Sequence, residues 1–356
     1  MRESQPNQQQ FYNQLERMNL YDKFITARLN LNMANDWKYP DSWTVFSRIE
    51  LEGLERTLYY VTDSMKSELD RKTVFGMWKN EQYVTHIFSE GAVKETMEKF
   101  AIDRDEQWKV LDVGAGGGIS ALIMQAGISQ IGITNIETIG IDQNDRAIDF
   151  CKYNEKLNNL QGIKWQNEVY NINSAPISRS AIIQLAPPYN PRPELLGQYS
   201  TMFSDGLSED ATQNFQNQLS IAYRHLAPNG IIVVNQMTPS FNNLPGALEI
   251  IRKLDPGLSV DYIEIFDPMS SKDFLNTSFG FDVDNKDARG QINNFKQRLT
   301  EAHNNFHYNV LIIKNDGLGL ITREEHDLSF GGFESRAEAH KGINVGAMNQ
   351  LRKSVL

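Results

Sequence analysis

The sequence predicts a doubly wound α/β fold, that is, a Rossmann-like parallel sheet with helices on both faces. Two observations support this prediction. Short β-branched runs alternate with amphipathic stretches over residues 107–236, and a glycine-rich turn joins the first run to the first amphipathic stretch. Strands are expected at Lys109–Val113 and Thr138–Ile141, and helices at Ser120–Gly127 and Arg146–Leu157. A strand, a helix and a second strand in succession form a parallel pair with a right-handed crossover.

The same alternation continues toward the C-terminus. Runs of β-branched and aromatic residues bounded by turn residues indicate strands, whereas apolar residues three and four positions apart indicate helices. Further strands are expected at Gly162–Trp165, Ala181–Leu185, Gly230–Val234, Ser259–Ile265 and His307–Ile313, and further helices at Asp210–His225 and from about Ala288 to Asn304.

Segments outside this α/β region are expected because the chain has 356 residues, more than the roughly 250–300 that one core usually supports. Residues 1–88 are predicted to form a mostly helical N-terminal domain, since Leu51, Leu54, Leu58 and Val61 recur at helical spacing. The catalytic α/β domain is expected to span residues 89–315. Residues 316–356 show weak periodicity and are interpreted as a C-terminal extension.

Composition limits the possible partners. A net charge of -10 disfavours non-specific nucleic-acid binding. No run of about 18 apolar residues is present, so no membrane span is expected. The lone Cys151 cannot form an internal disulfide, and the polar N-terminus lacks the apolar stretch of a signal peptide, so we expect a cytoplasmic protein. The six histidines show no metal-binding spacing, and the sequence does not indicate an oligomeric state.

The most specific motif is a glycine-rich turn between the first strand and the first helix. Asp112 ends the strand, and Gly114, Gly116 and Gly118 alternate through the turn. Glycines there let a ligand approach the backbone, and the following helix N-terminus offers free N–H groups. The motif therefore predicts a ligand site rather than a mere tight turn.

Two classes of ligand fit such a turn. The segment Gly116–Ala121 matches the G-x-G-x-x-A pattern of dinucleotide sites, which taken alone is a weak signal. The carboxylate of Asp112 would repel a pyrophosphate but suits an ammonium group, directly or through water. S-adenosylmethionine carries an ammonium, a carboxylate and a sulfonium, so we expect it rather than a nicotinamide dinucleotide.

With this turn the sequence resembles the class I S-adenosylmethionine-dependent methyltransferase family. The resemblance covers roughly residues 89–313. It implies a seven-stranded sheet with one antiparallel strand near its edge, and a cofactor at the carboxyl ends of the strands. The same location follows from the rule for ligand sites in doubly wound sheets.

Further cofactor contacts are expected after the second and third strands. Asp142 ends the second strand and is expected to bind the ribose hydroxyls, because a carboxylate can accept two charge-assisted hydrogen bonds from a diol. Its neighbour Gln143 is expected among the cofactor-binding residues. The alternative is a helix-capping role for Asp142 or Asn144. The family resemblance implies an adenine contact near Asn167 or Glu168, although either could equally lie in an exposed loop.

An acceptor-side motif follows the fourth strand, where Ala186, Pro187, Pro188 and Tyr189 stand in succession. It resembles the Asn-Pro-Pro-Tyr signature of methyltransferases that modify amide or exocyclic amino nitrogens. The resemblance implies that Tyr189 packs on the acceptor and that backbone carbonyls near Ala186 and Pro187 accept its hydrogen bonds. Ala186 lacks the usual polar side chain, and the alternative is a proline-rich loop that ends the strand.

These features predict an enzyme that transfers a methyl group to a nitrogen of an unidentified acceptor, such as a protein side chain. Alternatives are a small-molecule O- or N-methyltransferase and, in another class, a non-catalytic cofactor-binding scaffold. Asp112, Asp142 and the three alternating glycines are intact, which disfavours a decayed site. A nicotinamide-dependent oxidoreductase is disfavoured by Asp112.

Overall fold

The fold is described from a computed structural model. It covers residues 44–49, 54–63, 74, 92–101, 107–170, 179–187, 210, 212–241, 244–264, 268–279 and 285–325. The strands are β1 (Thr44–Ile49), β2 (Leu58–Asp63), β3 (Trp108–Val113), β4 (Ile136–Asp142), β5 (Lys164–Asn167), β6 (Ser180–Leu185), β7 (Leu226–Phe241), β8 (Leu244–Pro245), β9 (Ser259–Glu264), β10 (Met269–Ser270), β11 (Asn305–Lys314) and β12 (Ile321–Glu325). The helices are α1 (Ala92–Ala101), α2 (Ile119–Gln130), α3 (Asp145–Leu157), α4 (Gln213–His225), α5 (Gly246–Leu254), α6 (Ser271–Ser278) and α7 (Lys286–Ala302).

The main sheet confirms the predicted doubly wound fold. Its strand order is β12-β9-β11-β7-β6-β3-β4-β5, with the two-residue strands β8 and β10 paired to β7 and β11. Strands β3 to β7 are parallel, whereas β11 runs antiparallel to both β7 and β9. The antiparallel strand near one edge is the one that the family resemblance implies. β12, from the predicted C-terminal extension, pairs parallel with β9 at the outer edge of the sheet.

Helices cover both faces of this sheet. Apolar residues of α1, α2, α6 and α7 form one core with one face of the strands, and residues of α4 and α5 form a second core with the other face. We call these the α2 face and the α4 face. Successive strand residues alternate between them, as the period of two requires. None of the helices in the described part of the chain is long and apolar enough to cross a membrane.

The N-terminal region contributes a β-hairpin where helical spacing predicted a helix. β1 and β2 pair antiparallel, so the prediction of a helix is wrong for Leu58 and Val61. Of residues 1–88, the structure describes 44–49, 54–63 and 74, and the rest of the predicted helical region lies outside the described residues. Leu58 and Tyr60 are buried in the core of the α2 face. Leu58 and Tyr60 are two positions apart, and this spacing of buried side chains fits a strand with one face in the core.

Asn154 of α3 and Asn158, the residue directly after α3, hold this hairpin through its backbone. The amide of Asn154 accepts from Val61 N (2.8 Å) and donates to Val61 O (2.9 Å), and Asn158 makes the same pair with Tyr59 (2.7 and 2.6 Å). Four residues of helix rise about 6 Å and two residues of strand about 6.6 Å, so the spacings match. β2 thus has β1 as a strand partner, and the two asparagine side chains take the place of a second neighbouring strand.

Trp165 of β5 explains two glycines near the carboxyl ends of the strands. Its indole packs where a side chain at Gly140 or Gly118 would stand, and its Nε1 donates to Glu155 (2.8 Å). A Cβ at Gly140 would overlap the six-membered ring of the indole. The absence of a side chain at Gly140 is therefore a packing requirement of the sheet.

We expect Gly140→Ala to lower the free energy of unfolding by about 1–3 kcal/mol, because overpacking forces Trp165 from its rotamer. Gly127→Ala is the matched control. Gly127 lies inside α2 with open space around its Cα, so alanine should stabilise the protein by about 0.5–1 kcal/mol. Denaturant titration measures both values, and a Gly140→Ala protein as stable as the control would contradict the packing role.

Candidate functional site

The glycine-rich turn adopts a conformation that requires glycine. Gly114, Gly116 and Gly118 have φ values of 73°, 55° and 85°, all in the left-handed region that other residues rarely adopt. Gly114 N and Ala115 N donate to Ile141 O at the end of β4 (2.9 and 3.0 Å). The turn is thus fixed to two strands before α2 begins.

One side of the turn is open and the other is closed. A Cβ built on Gly116 meets no atom of the described residues within 4 Å, whereas a Cβ on Gly117 would overlap the hydroxyl of Tyr60 from β2. The amide of Asn154 donates to Gly117 O (2.9 Å) and holds that closed side. The open space beside Gly116 is where a ligand can reach the backbone of the turn.

Asp112 lies beneath the turn and is almost completely buried. Its Oδ2 accepts a hydrogen bond from Ala121 N in the first turn of α2 (3.0 Å), an arrangement that the helix dipole favours. Burial, assisted by the nearby charge of Asp142 and opposed by the hydrogen bond from Ala121 N, raises the pKa of Asp112 from 3.8 to about 7. A cationic group beside this carboxyl would favour its ionised form.

Asp142 braces the turn from the next strand. Its Oδ2 accepts from Gly116 N (2.9 Å) and its Oδ1 from Asn144 N (2.8 Å), while burial raises its pKa. The helix-capping role belongs to Asn144, whose side chain accepts from Arg146 N (3.1 Å). Each oxygen of Asp142 keeps a second lone pair for a ligand hydroxyl.

The other predicted cofactor contacts lie next to Asp142. β4 pairs with β5 so that Asp142 is opposite Asn167, and Asp142 O accepts from both Asn167 Nδ2 (3.1 Å) and Glu168 N (3.1 Å). The side chains of Gln143, Asn167 and Glu168 are exposed. The sheet therefore brings all four predicted residues to one place.

The acceptor-side motif begins beside the glycine turn. Ala186 N donates to Val113 O (3.2 Å), and Ala186 O would lie 3.2 Å from a Cβ on Gly114. Ala186 is exposed and Pro187 is buried, whereas Tyr189 lies outside the described residues. Pairing of β3 with β6 thus places the start of the motif next to the predicted cofactor site.

Two amides of this region were missed by the sequence analysis. Gln184 is opposite Asp112 in the β3–β6 pair, and Asn235 follows Val234, which is opposite Leu185. Both alternate onto the α2 face, as Asp112 does. The available signal was a polar residue inside or directly after an apolar strand, but only the strand order shows that these residues are neighbours of Asp112.

The histidines near the start of β11 both contact Ser240, through different atoms of that residue. His307 joins Glu264 through Nδ1 (2.7 Å) and Ser240 through Nε2 (2.8 Å) on the α4 face, and His303 Nδ1 lies 3.1 Å from Ser240 O. Within the ranges that the structure describes, no group of three or more His, Cys, Asp or Glu residues is arranged to hold a metal ion.

Comparisons with known proteins find similarity only among solved structures. No protein-family model and no curated protein matches the chain. A SAM-dependent methyltransferase from Agrobacterium tumefaciens shares 16% identity and a TM-score of 0.42, over 76% of this chain and 69% of that one. A candidate class I S-adenosylmethionine-dependent methyltransferase from Listeria monocytogenes shares 12% identity and a TM-score of 0.41, over 78% and 73%. Similarity at this level assigns neither cofactor nor acceptor to the chain, so both must be inferred from its own residues.

The raised pKa of Asp112 predicts a pH-dependent stability. Between pH 3.8 and about 7, the unfolded chain releases this proton and the folded chain keeps it, so the free energy of unfolding falls as pH rises through that window. Asp112→Asn keeps an oxygen for Ala121 N and removes the titration. Relative to the wild type, the free energy of unfolding of Asp112→Asn should rise by up to about 4 kcal/mol as pH increases across the window, at about 1.4 kcal/mol per pH unit. Denaturant titrations at several pH values test this, and a constant difference between the proteins would contradict it.

Proposed function

We propose that this chain is an S-adenosylmethionine-dependent methyltransferase. The observation that carries the proposal is the open space at Gly116, with the carboxyls of Asp112 and Asp142 beside it. The carboxyl of Asp112 repels a pyrophosphate and attracts an ammonium group, and the carboxyl of Asp142 accepts hydrogen bonds from a diol. S-adenosylmethionine carries both groups, so the residues present fit this cofactor better than they fit a nicotinamide dinucleotide.

Each residue has a defined part in the proposed site. Asp112 attracts the ammonium of the cofactor, and Asp142 accepts hydrogen bonds from the ribose hydroxyls. Asn167 or Glu168 contacts the adenine, with Gln143 beside them. Gly114, Gly116 and Gly118 keep the turn free of side chains. When bound, the cofactor supplies an electrophilic methyl group on a sulfonium.

The acceptor is proposed to bind beyond Ala186, at the carboxyl end of β6. Methyl transfer by in-line displacement requires mainly that the nucleophile be held close and oriented, with water excluded. Ala186 lies against the glycine turn, so an acceptor held by this segment would be near the cofactor. We propose a nitrogen acceptor, with backbone carbonyls at Ala186 and Pro187 as hydrogen-bond acceptors and the ring of Tyr189 as a packing surface. Methylation of a small molecule at oxygen or nitrogen is the alternative.

The direct test is transfer of labelled methyl groups from S-adenosylmethionine into the protein, nucleic-acid and metabolite fractions of a cell extract. We expect label in the protein or metabolite fraction with the wild type. A folded wild type that binds the cofactor but labels no fraction would favour the non-catalytic scaffold.

Gly116→Val should abolish binding of S-adenosylmethionine, because the branched side chain would fill the open space beside the turn. Gly132→Val is the matched control, since Gly132 also has a positive φ (68°) and open surroundings but lies outside the site. Both variants carry a similar backbone strain of about 1–2 kcal/mol. Calorimetry should therefore separate them, and equal affinities would show that the turn does not approach the ligand.

Asp142→Ala should weaken binding of S-adenosylmethionine by about 1–3 kcal/mol through loss of charge-assisted hydrogen bonds to the ribose. Asp149→Ala, which removes an exposed carboxylate of α3, should leave the affinity unchanged. The measurement is calorimetric titration of both variants. An unchanged affinity in well-folded Asp142→Ala would remove Asp142 from the site.

A further inference from the structure

Gln184 and Asn235 lie on neighbouring strands, offset by two residues, at the edge of the sheet where the proposed cofactor site is. Gln184 belongs to β6 and has Asp112 opposite it in β3 and Val233 opposite it in β7. Asn235 comes two residues after Val233, so it projects from the same face of β7. Both amides therefore stand between Asp112 in β3 and the antiparallel strand β11, on the α2 face.

The side-chain oxygens of both amides lack a hydrogen-bond partner among the described residues. Gln184 Oε1 and Asn235 Oδ1 are each inaccessible to solvent and accept no hydrogen bond. Such an oxygen costs stability, because the hydrogen bonds that it made to water in the unfolded chain are not replaced. Two of them on the same face of neighbouring strands, beside Asp112, are the basis for inferring a ligand that supplies the missing donors.

The orientation of Asn235 is fixed by its other amide atom. Asn235 Nδ2 donates to the hydroxyl of Tyr308 in β11 (2.8 Å), and Tyr308 is itself buried. This bond leaves Oδ1 as the atom of the amide that is free to accept. Ala186, the next residue after Leu185, offers no polar side chain beside it.

The chemistry of the pair selects the group that it binds. Two carbonyl oxygens accept hydrogen bonds and donate none, and the carboxyl of Asp112 adjoins Gln184, so an anion is disfavoured and a group rich in N–H donors is favoured. A primary amine or amide has at least two N–H donors and can satisfy both oxygens. A hydroxyl has one donor and would leave one oxygen unpaired.

We propose that Gln184 and Asn235 form an amino-group subsite that binds the –NH₂ of the methyl acceptor, whose two N–H groups donate while its lone pair stays available to receive the methyl group. This inference rests on the proposed function, and it narrows the acceptor to a primary amine or amide. The subsite joins the cofactor site at Asp112, so the bound nitrogen lies on the side of the glycine turn that faces β6 and β7.

The test uses two probes that need no knowledge of the acceptor. S-adenosylhomocysteine lacks the transferred methyl group, whereas sinefungin carries a primary amine at the corresponding position. The wild type should bind sinefungin more tightly than S-adenosylhomocysteine. Asn235→Leu should reduce sinefungin affinity about tenfold, the effect of losing one hydrogen bond to a charged group, and leave S-adenosylhomocysteine affinity nearly unchanged.

Two further variants separate recognition from folding. Gln236→Leu is the matched control, because Gln236 is the next residue of β7, is also a buried amide with an unpartnered Oε1, and projects from the opposite face. It should keep the wild-type preference for sinefungin. Asn235→Asp is nearly isosteric and adds a negative charge, so it should raise sinefungin affinity about tenfold.

The outcomes distinguish the inference from the proposed function. A well-folded wild type that binds neither nucleoside would overturn the proposed function and the inference with it. Normal binding of S-adenosylhomocysteine, with the same sinefungin preference in Asn235→Leu, Asn235→Asp and Gln236→Leu, would overturn the amino-group subsite alone.

Discussion

The hydrogen bond from Gly116 N to the carboxylate of Asp142 is the interaction on which the arrangement of the site depends. It joins the turn after β3 to the end of β4 while Gly116 keeps a left-handed conformation. The closed side of the same turn is held by Asn154 and Tyr60, and its end by Trp165. Because these contacts come from different elements, the open space at Gly116 is fixed by the fold rather than by the turn alone.

Burial of carboxyl groups is the energetic cost of this arrangement. Asp112 is almost completely removed from water and Asp142 is partly buried, and burial raises the pKa of each. Backbone N–H groups of Ala121, Gly116 and Asn144 offset part of the cost. A core of apolar residues would be more stable there, so a site that retains two buried carboxyls is better explained by a cationic, hydroxyl-bearing ligand than by packing.

Local patterns in the sequence were sufficient to predict much of the fold. The strand before Asp112, the glycines of the turn and the helices from Ser120 and Arg146 are all set by residues close in the chain, and the structure contains them. The hairpin at Leu58 could not be predicted in this way, because its backbone partners Asn154 and Asn158 are more than 90 residues distant. Gln184 and Asn235 were missed for the same reason, since only the order of the strands makes them neighbours.

The central claim is that the carboxyl of Asp112, beneath the open glycine turn, selects S-adenosylmethionine over a nicotinamide dinucleotide. Calorimetric titration of the wild-type protein with each cofactor, under identical conditions, tests it most directly. The account predicts saturable binding of S-adenosylmethionine, or of its demethylated product, and no useful binding of NAD. Tight binding of NAD, with none of S-adenosylmethionine or its product, would contradict it.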